Sequence, residues 1–195
     1  KKFTENHFSI LAGSSWAEDE KYLLNAFIKI RTRLPDGQET KPDVKLLIAP
    51  HNIEPINVNQ LISILKSNAP NLSYQLYTKW DKKTEADVLI IDTIGMLSSL
   101  YQYSQIAYIG GGFGSGIHNI LEALVYGIPV IFGPNHKKFN EAIESIDKGI
   151  SFPFTDQEDL NTTLTKLIGS PELLNEIRNK SHLYIQANAG SSDKI

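Results

Sequence analysis

Residues 106–134 carry the pattern that most restricts how this chain can fold. A short apolar run at 106–109 is typical of a buried strand, and the loop directly after it has five glycines in seven positions. We predict a helix that starts near Ile117 and ends at Gly127, followed by a second buried strand at 129–132. A strand, a loop, a helix and a further apolar strand make a βαβ unit, which requires a parallel sheet.

The glycine-rich loop has two interpretations. Glycine lets bare backbone N–H groups approach a ligand closely, and the positive end of the following helix dipole would attract an anion. Dense glycine also occurs where a helix has to pack close to a sheet, so a purely structural role stays open. No G-x-G-x-x-G register fits, because its sixth position falls on Ser115 or Ile117, and no Gly-Lys-Ser/Thr follows. The pattern therefore favours an anion cradle and disfavours NAD binding and ATP hydrolysis.

The rest of the chain alternates between strand and helix patterns. We predict strands at 8–12, 44–49, 74–77, 88–91, 106–109, 129–132 and 150–152. We predict helices at 17–34, 55–67, 96–103, 117–127, 139–148, 157–167 and 171–187. This alternation specifies an α/β fold with a doubly wound parallel sheet of the Rossmann-like type and right-handed crossovers.

Length and composition limit the function classes. With 195 residues, of which 41% are hydrophobic, the chain can form one well-cored domain over residues 1–195. The formal net charge of −3 leaves no basic footprint, so we expect no nucleic-acid partner. There is no cysteine, and no apolar run approaches the roughly 20 residues of a membrane helix. The chain starts with Lys1 rather than Met, and we expect it to be an excised domain.

Polar residues follow the ends of five predicted strands. In a parallel sheet these loops share one edge, so their polar groups converge on one crevice, where open α/β sheets bind ligands. The candidate site residues are Ser14, Ser15, His51, Asp92, Thr93, Ile94, Gly95, Gly111, Gly112, His118, Asn119 and Glu122. Asn119 and Glu122 are three apart, so they share one face of the predicted helix.

Several of these residues also have a structural interpretation. The segment 92–93 would suit the N-cap of the next helix, and Ser14 and Ser15 could cap the first one. His51 and His136 could be ordinary surface histidines. The convergence of five polar loops on one edge favours a binding site more strongly than any single residue does.

The order of these motifs resembles the C-terminal half of the 3-deoxy-D-manno-octulosonic acid (Kdo) transferases, which are glycosyltransferases of the GT-B fold. A family histidine after the second strand corresponds to His51, and a G-G-S loop corresponds to Gly111 and Gly112. The family's A-G-S-T/S, D-T-M-G-E, G-G-H-N-x-L-E, G-x-P-V-x-x-G-P and N-x-G-A-x-x-K motifs resemble residues 12–15, 92–96, 116–122, 127–134 and 188–194. The resemblance spans nearly the whole chain, and H-N-x-L-E followed by G-x-P-V-x-x-G-P is its specific part.

Two positions depart from the family pattern. The family's second loop reads R-H-P-E-R, whereas residues 50–54 read P-H-N-I-E, so Pro50 stands where the family has arginine. Met96 replaces the glutamate of D-T-M-G-E. Both family residues touch the donor, so the contacts here must differ or come from neighbours such as Lys137 and Lys138. Those two lysines equally suit a solvated approach to the next helix.

The resemblance implies a donor-binding half. The family transfers Kdo from CMP-Kdo to a lipid A precursor, with CMP as leaving group and with neither a metal nor a cofactor. It implies that the phosphate lies on backbone N–H groups of the glycine loop and of residues 94–96, that Glu122 binds the ribose, and that Asn119 binds phosphate or ribose.

The resemblance also implies what this chain lacks. The family's general base lies in an N-terminal domain, so we expect no catalytic residue here and no activity of the isolated chain. That domain would bring the acceptor, and the last helix, about 171–188, would pack on it. The parent protein would work at the cytoplasmic face of the bacterial inner membrane.

Other functions remain open at this point. The donor-binding half of another GT-B transferase or of a UDP-sugar 2-epimerase would share the glycine loop and the helix glutamate but would bind a uridine or other nucleotide. A non-catalytic nucleotide-binding or interaction domain would share the fold. NAD-dependent reduction lacks both the fingerprint and a suitably placed acid after the second strand.

Overall fold

The computed structural model describes residues 2–32 and 43–189. The strands are β1 (Phe8–Ser15), β2 (Val44–Pro50), β3 (Tyr74–Leu76), β4 (Val88–Ile90), β5 (Ile106–Ile109), β6 (Val130–Phe132) and β7 (Ser151–Pro153). The α-helices are α1 (Ala17–Thr32), α2 (Pro55–Asn68), α3 (Leu97–Leu100), α4 (Leu121–Leu124), α5 (Asn140–Asp147), α6 (Gln157–Ile168) and α7 (Pro171–Ala189). Short 3-10 turns follow β3 and α3, at Tyr77–Lys79 and Tyr101–Tyr103. All seven predicted strands are present, and parts of two predictions, residues 33–34 and 190–194, lie outside the described residues.

The strands form one sheet in the order β3-β4-β2-β1-β5-β6-β7, and every neighbouring pair is parallel. The chain fills one side of β1 with β2, β3 and β4, then crosses to the other side of β1 at β5. The β1–β5 junction is therefore the topological switch point, where open α/β sheets hold their ligands. The predicted doubly wound parallel sheet is confirmed.

The core lies on both faces of the sheet. Successive side chains of a strand point to opposite faces, and Ile10 and Leu11 in β1 are both fully buried, so helices cover both sides. Ile48 in β2 and Ile131 in β6 are fully buried as well. Truncation of such a residue to alanine typically costs about 2–5 kcal/mol. The rigid sheet that results holds the loops at its carboxyl edge in fixed positions.

The helix predicted from Ile117 starts elsewhere. α4 begins only at Leu121 and has four residues. The backbone before it bonds to the glycine loop, since His118 N donates to Gly110 O at 3.1 Å. Asn119 Oδ1 then accepts from Leu121 N at 3.0 Å. The prediction of a helix over 117–120 is therefore wrong, and so is its predicted end at Gly127, because α4 ends at Leu124. An anion at the glycine loop would have to be held by loop amides rather than by a helix dipole.

The last helix, α7, packs on the rest of this chain along one side. Ile177 is fully buried, and Tyr184 is buried with its hydroxyl donating to Glu144 Oε2 at 3.1 Å. Leu183 is 67% exposed. Packing of α7 on a further domain stays a prediction. Among the helices of residues 2–32 and 43–189, none is long and apolar enough to cross a membrane.

Candidate functional site

The turns after β1, β2 and β5 meet at the carboxyl edge of the sheet. Gly110 N donates to Gly13 O at 2.9 Å, and a Cβ at Gly110 would lie 2.2 Å from Ser14 O. No side chain fits there, so this contact requires glycine. His51 N donates to Ser15 O at 2.8 Å, which ties the turn after β2 to the same assembly.

The glycine loop bonds to itself and leaves part of its backbone unpaired. Gly111 has φ 93°, and its carbonyl oxygen accepts from Gly114 N at 2.9 Å and from Gly116 N at 3.3 Å. The N–H groups of Gly112 and Phe113 have no acceptor within residues 2–32 and 43–189. Unpaired N–H groups in a turn of this kind are what an anion-binding concavity needs.

A second group of unpaired N–H groups lies in the turn after β4. Ile94 is 86% exposed, and Gly95 has φ 84°. In the part of the chain that the structure describes, the N–H groups of Ile94, Gly95 and Met96 have no acceptor. Thr93 Oγ1 donates to Met96 Sδ at 3.2 Å and so helps to shape the turn.

Two predicted site residues direct their side chains to other parts of the protein. Asp92 Oδ1 accepts from Thr78 N at 2.9 Å, and its other oxygen accepts from the Thr78 hydroxyl, so this carboxylate ties the turn after β4 to the segment after β3. Ser15 Oγ donates to Glu20 Oε1 at 3.0 Å in a buried position. The alternative N-cap role of 92–93 is absent, because Met96 is the N-cap of α3 and makes no side-chain cap bond.

Asp19, in the first turn of α1, holds the glycine loop in place. It is 1% exposed and accepts from Gly111 N at 2.9 Å, Trp16 N at 2.9 Å and the Tyr108 hydroxyl at 2.8 Å. Burial raises the pKa of Asp19, and these three hydrogen bonds lower it in part. The sequence showed Asp19 only as an acid in a helix N-terminal turn, so its contact with a loop 92 positions away was missed.

A stack of three aromatic rings lies over the β1, β2 and glycine-loop turns. The Trp16 and His51 ring centroids are 4.5 Å apart, and those of His51 and His118 are 4.6 Å apart, with nearly parallel planes in both pairs. Trp16 Nε1 also donates to His118 Nε2 at 3.4 Å. Partial burial lowers the pKa of His118, as does the charge of His51, while Asp19 raises it. Trp16 was missed from the sequence because an isolated aromatic residue after a strand carries no motif.

Asn119 and Glu122 form the polar pair at the start of α4. Asn119 Nδ2 donates to Glu122 Oε1 at 3.3 Å, which confirms that the two side chains lie on the same side although the helix is shorter than predicted. Behind them, Tyr101 is buried, and a Cβ at Gly13 would lie 2.0 Å from its hydroxyl. Burial, and then the charge of Glu122, raises the pKa of Tyr101.

The candidate residues therefore divide into a connected group and a separate turn. The residues joined by direct contacts across the β1, β2 and β5 turns are Ser14, Ser15, His51, Gly111 and His118, together with Asp19 and Trp16. The turn at 92–96 lies at the same edge, with β2 between β4 and β1. We call all of these residues, with Gly112, Asn119 and Glu122, the carboxyl-edge site.

The neighbourhood of the site holds two exposed lysines and a packed histidine. Lys137 and Lys138 are exposed and have no carboxylate partner among the described residues. His136 packs on Phe132, with ring centroids 5.3 Å apart, so it is not a free surface histidine. No group of three His, Cys, Asp or Glu residues within 2–32 and 43–189 could hold a metal ion.

The family of the chain follows from comparison with known proteins. The model of the family "Glycosyl transferases group 1" matches residues 19–183, which include Asp19, the glycine loop and Glu122. The chain belongs to this family. A curated relative, a 3-deoxy-D-manno-octulosonic acid transferase of Aquifex aeolicus (strain VF5), is 33% identical over 161 residues, covering 82% of this chain and 41% of the relative. The chain thus spans about two fifths of that relative's length, and the resemblance to Kdo transferases is confirmed.

Solved structures support the fold of this group 1 domain. The C-terminal CMP-Kdo binding domain of WaaA from Acinetobacter baumannii superimposes with a TM-score of 0.79 at 21% identity, covering 94% of this chain and 92% of that one. An UDP-N-acetylglucosamine 2-epimerase of Listeria monocytogenes, described as putative, gives a TM-score of 0.56 at 16% identity, covering 98% of this chain and 46% of that one. The shared fold alone does not separate the two activities, because folds host many functions.

Proposed function

We propose that this chain is the donor-binding domain of a Kdo transferase and that it binds CMP-Kdo at the carboxyl-edge site. The observation that carries the proposal is the block at 116–134, which resembles the Kdo transferases and follows the β1–β5 switch point directly. The identity to the Aquifex aeolicus transferase, 33% over 161 residues, supports the same choice over a UDP-sugar enzyme.

The phosphate of the donor would bind to backbone N–H groups. The unpaired N–H groups of Gly112 and Phe113 and those of Ile94, Gly95 and Met96 are two candidate donor sets at one sheet edge. Backbone dipoles held by a rigid scaffold need no reorganisation when charge develops on the departing CMP, which is the basis of electrostatic catalysis. This role of the backbone is compatible with Pro50 and Met96, where the family's charged donor contacts are missing.

The ribose would bind to the polar pair. The Glu122 carboxylate can accept hydrogen bonds from hydroxyl groups. Asn119 Nδ2 donates one hydrogen to Glu122 Oε1 at 3.3 Å, and its second N–H is available to the ligand. Bonds from two ribose hydroxyls to an ionised carboxylate are worth more than bonds between neutral groups. The His51 and His118 rings, stacked at 4.6 Å, would face the sugar or phosphate part of the donor.

The complete reaction requires parts that lie outside this chain. We propose that a preceding domain supplies the general base and binds the lipid A precursor, and that the whole protein works at the cytoplasmic face of the bacterial inner membrane. Kdo would then move from CMP-Kdo to an acceptor hydroxyl, with CMP as leaving group and no cofactor. The isolated chain would bind the donor without transferring Kdo.

Ligand-dependent melting of the purified chain tests this proposal. CMP at about 100 times its Kd should stabilise the domain by about 2.7 kcal/mol, which corresponds to a rise of roughly 5–10 °C in melting temperature for a domain of this size. UDP should give a much smaller shift. A shift with UDP as large as that with CMP would refute the proposal in favour of a uridine-nucleotide enzyme.

A pair of matched variants locates the binding. Glu122→Gln should weaken CMP binding about tenfold or more, because a hydrogen bond to a charged group is worth ~1.5–3 kcal/mol. Glu141→Gln, which removes an acid from α5, should leave the CMP affinity unchanged. Calorimetric titration measures both, and equal affinities in the two variants would exclude Glu122 from the donor site.

A further inference from the structure

A second cavity lies at the opposite edge of the sheet. It has a volume of about 460 Å³ and lies among residues that precede or begin β1, β2 and β4, together with the loop after β3. Its lining is strongly basic, with four lysines and one histidine against a single carboxylate, Glu85. The residues that carry the argument are Lys45, Lys82, Lys83, Glu85, Phe3 and Trp80. We call this the amino-edge cavity.

Lys45 is the unusual residue of this cavity. It is the second residue of β2, whose other residues are all apolar, and it is 6% exposed. Within residues 2–32 and 43–189 its ammonium group has neither an ion-pair partner nor a hydrogen-bond acceptor. The acids at the start of β2 and just before β4 have other partners: Asp43 Oδ2 lies 2.8 Å from His7 Nδ1, and Asp87 Oδ1 lies 2.8 Å from Arg31 Nη2.

A buried cation without a counter-charge is costly, because the protein interior solvates charge poorly. Of the basic residues that line this cavity, Lys45 is the one whose side chain is almost entirely buried. Its side chain lines a cavity that is large enough for a small molecule, since ligand pockets typically measure about 300–1,000 Å³. An anion in the cavity would supply the missing counter-charge.

The other walls of the cavity specify more than a bare anion. Trp80 is half-buried and meets the ring of Phe3 edge-on, with centroids 5.9 Å apart and an interplanar angle of 86°. The two ring planes are nearly perpendicular, so Phe3 supports Trp80 from the side, and the indole of Trp80 is the apolar surface of the cavity against which a planar ring would pack. Asp81 accepts from Lys83 N at 2.9 Å and from Thr84 N at 2.8 Å, so the loop that carries the exposed lysines is held in one shape.

We propose that the amino-edge cavity binds a small phosphate ester that carries a planar apolar ring. Lys45 provides the buried counter-charge, Lys82 and Lys83 attract the phosphate from solvent, and Trp80 packs on the ring. Glu85 opposes binding by repulsion. This site is separate from the carboxyl-edge site and does not depend on the function proposed above.

Intrinsic fluorescence tests the proposal directly. The chain has two tryptophans, so Trp16→Phe leaves Trp80 as the only one. Titration of this protein with phenyl phosphate should give a saturable change in Trp80 emission, and inorganic phosphate should bind several-fold more weakly. Benzyl alcohol has the ring without the charge. It should give no saturable change in Trp80 emission at the concentrations at which phenyl phosphate saturates the site. Equal responses to phenyl phosphate and to sodium chloride at matched ionic strength would overturn the proposal.

Charge variants made in the Trp16→Phe protein test whether phenyl phosphate binds in the amino-edge cavity. Lys45→Met should weaken phenyl phosphate binding about tenfold or more, and Glu85→Gln should strengthen it several-fold. Lys21→Met removes an exposed lysine of α1 and should leave the affinity unchanged. An unchanged affinity in Lys45→Met would overturn the proposal. If that variant does not fold, the double variant Lys82→Ala/Lys83→Ala decides in the same way. The same double variant made with Trp16 intact should keep the CMP shift at the carboxyl-edge site.

Discussion

Glu20 is a buried acid whose proton makes the stability of this domain depend on pH. It is 5% exposed and accepts a hydrogen bond from Ser15 Oγ at 3.0 Å. The pKa of Glu20 is raised from 4.5 to about 7, mainly by burial, with the Ser15 hydrogen bond lowering it and the charge of Asp19 raising it. The folded state therefore binds this proton more tightly than the unfolded state does. The resulting stability is fully present below pH 4.5 and is lost as the pH rises through about 7.

The variant Glu20→Gln removes this dependence and keeps an oxygen that accepts from Ser15. One pH unit between the two pKa values corresponds to ~1.4 kcal/mol, so the interval from 4.5 to about 7 amounts to ~3 kcal/mol. Relative to the parent protein, the variant should gain about 3 kcal/mol in free energy of unfolding between about pH 5 and about pH 8.5. Urea unfolding followed by circular dichroism at several pH values measures this difference, in which the titration of other groups largely cancels.

Glu18→Gln is the matched control, because Glu18 lies in the same helix turn but is exposed, 3.6 Å from Lys21. Its difference from the parent protein should stay constant across the pH range. A constant difference for Glu20→Gln as well would refute the reasoning, since it would mean that Glu20 is ionised in the folded state throughout.

Three further predictions concern the carboxyl-edge site. Gly110→Ala would bring a Cβ within 2.2 Å of a backbone oxygen and should cost about 3 kcal/mol in urea unfolding; a loss below ~0.5 kcal/mol would show that the β1–β5 contact is loose. Asp19→Ala leaves three donors without their acceptor and should cost at least ~3 kcal/mol while also weakening CMP binding, measured by unfolding and calorimetry; unaltered CMP binding would contradict a role in shaping the loop. In Trp80→Phe, the emission of Trp16 should change with a midpoint below pH 6.5 as His118 gains a proton, because partial burial and a neighbouring charge lower the pKa of His118. The further substitution His118→Gln should remove this change. An identical pH profile in the two proteins would mean that His118 does not titrate next to Trp16.

The fold could be predicted almost completely from the sequence, because local residue patterns mark most of its strands and helices. The strands are short apolar runs bounded by glycine, proline or polar residues, so their limits are visible without any tertiary contact. β1 is an informative exception, because it continues to Ser15 rather than residue 12 and bends at a register shift between Gly13 and Ser15. The extension pairs Ser15 with Pro50 of β2, a contact that no local pattern contains.

The helix at 117–127 shows where local reasoning fails. Its apolar spacing predicts a helix from Ile117, and its polar first turn suits a helix N-terminus. In the structure, His118 N bonds to Gly110 O across the glycine loop, and this tertiary hydrogen bond competes successfully with helix formation before Leu121. Helix propensity differences of less than about 1 kcal/mol for each residue are easily outweighed by such contacts.

The sequence alone determined that this protein is a parallel α/β domain of the glycosyl transferase group 1 family, with polar turns at one sheet edge. Hydrophobic period and glycine placement are local properties, and they decide which segments become strands and where these end. Only the tertiary structure decided which side chains those turns share. Asp19 contacts Gly111, Trp16 stacks on His51, and Lys45 is buried without a partner among the described residues. Local sequence could not show these contacts, because each depends on the order of the strands around β1.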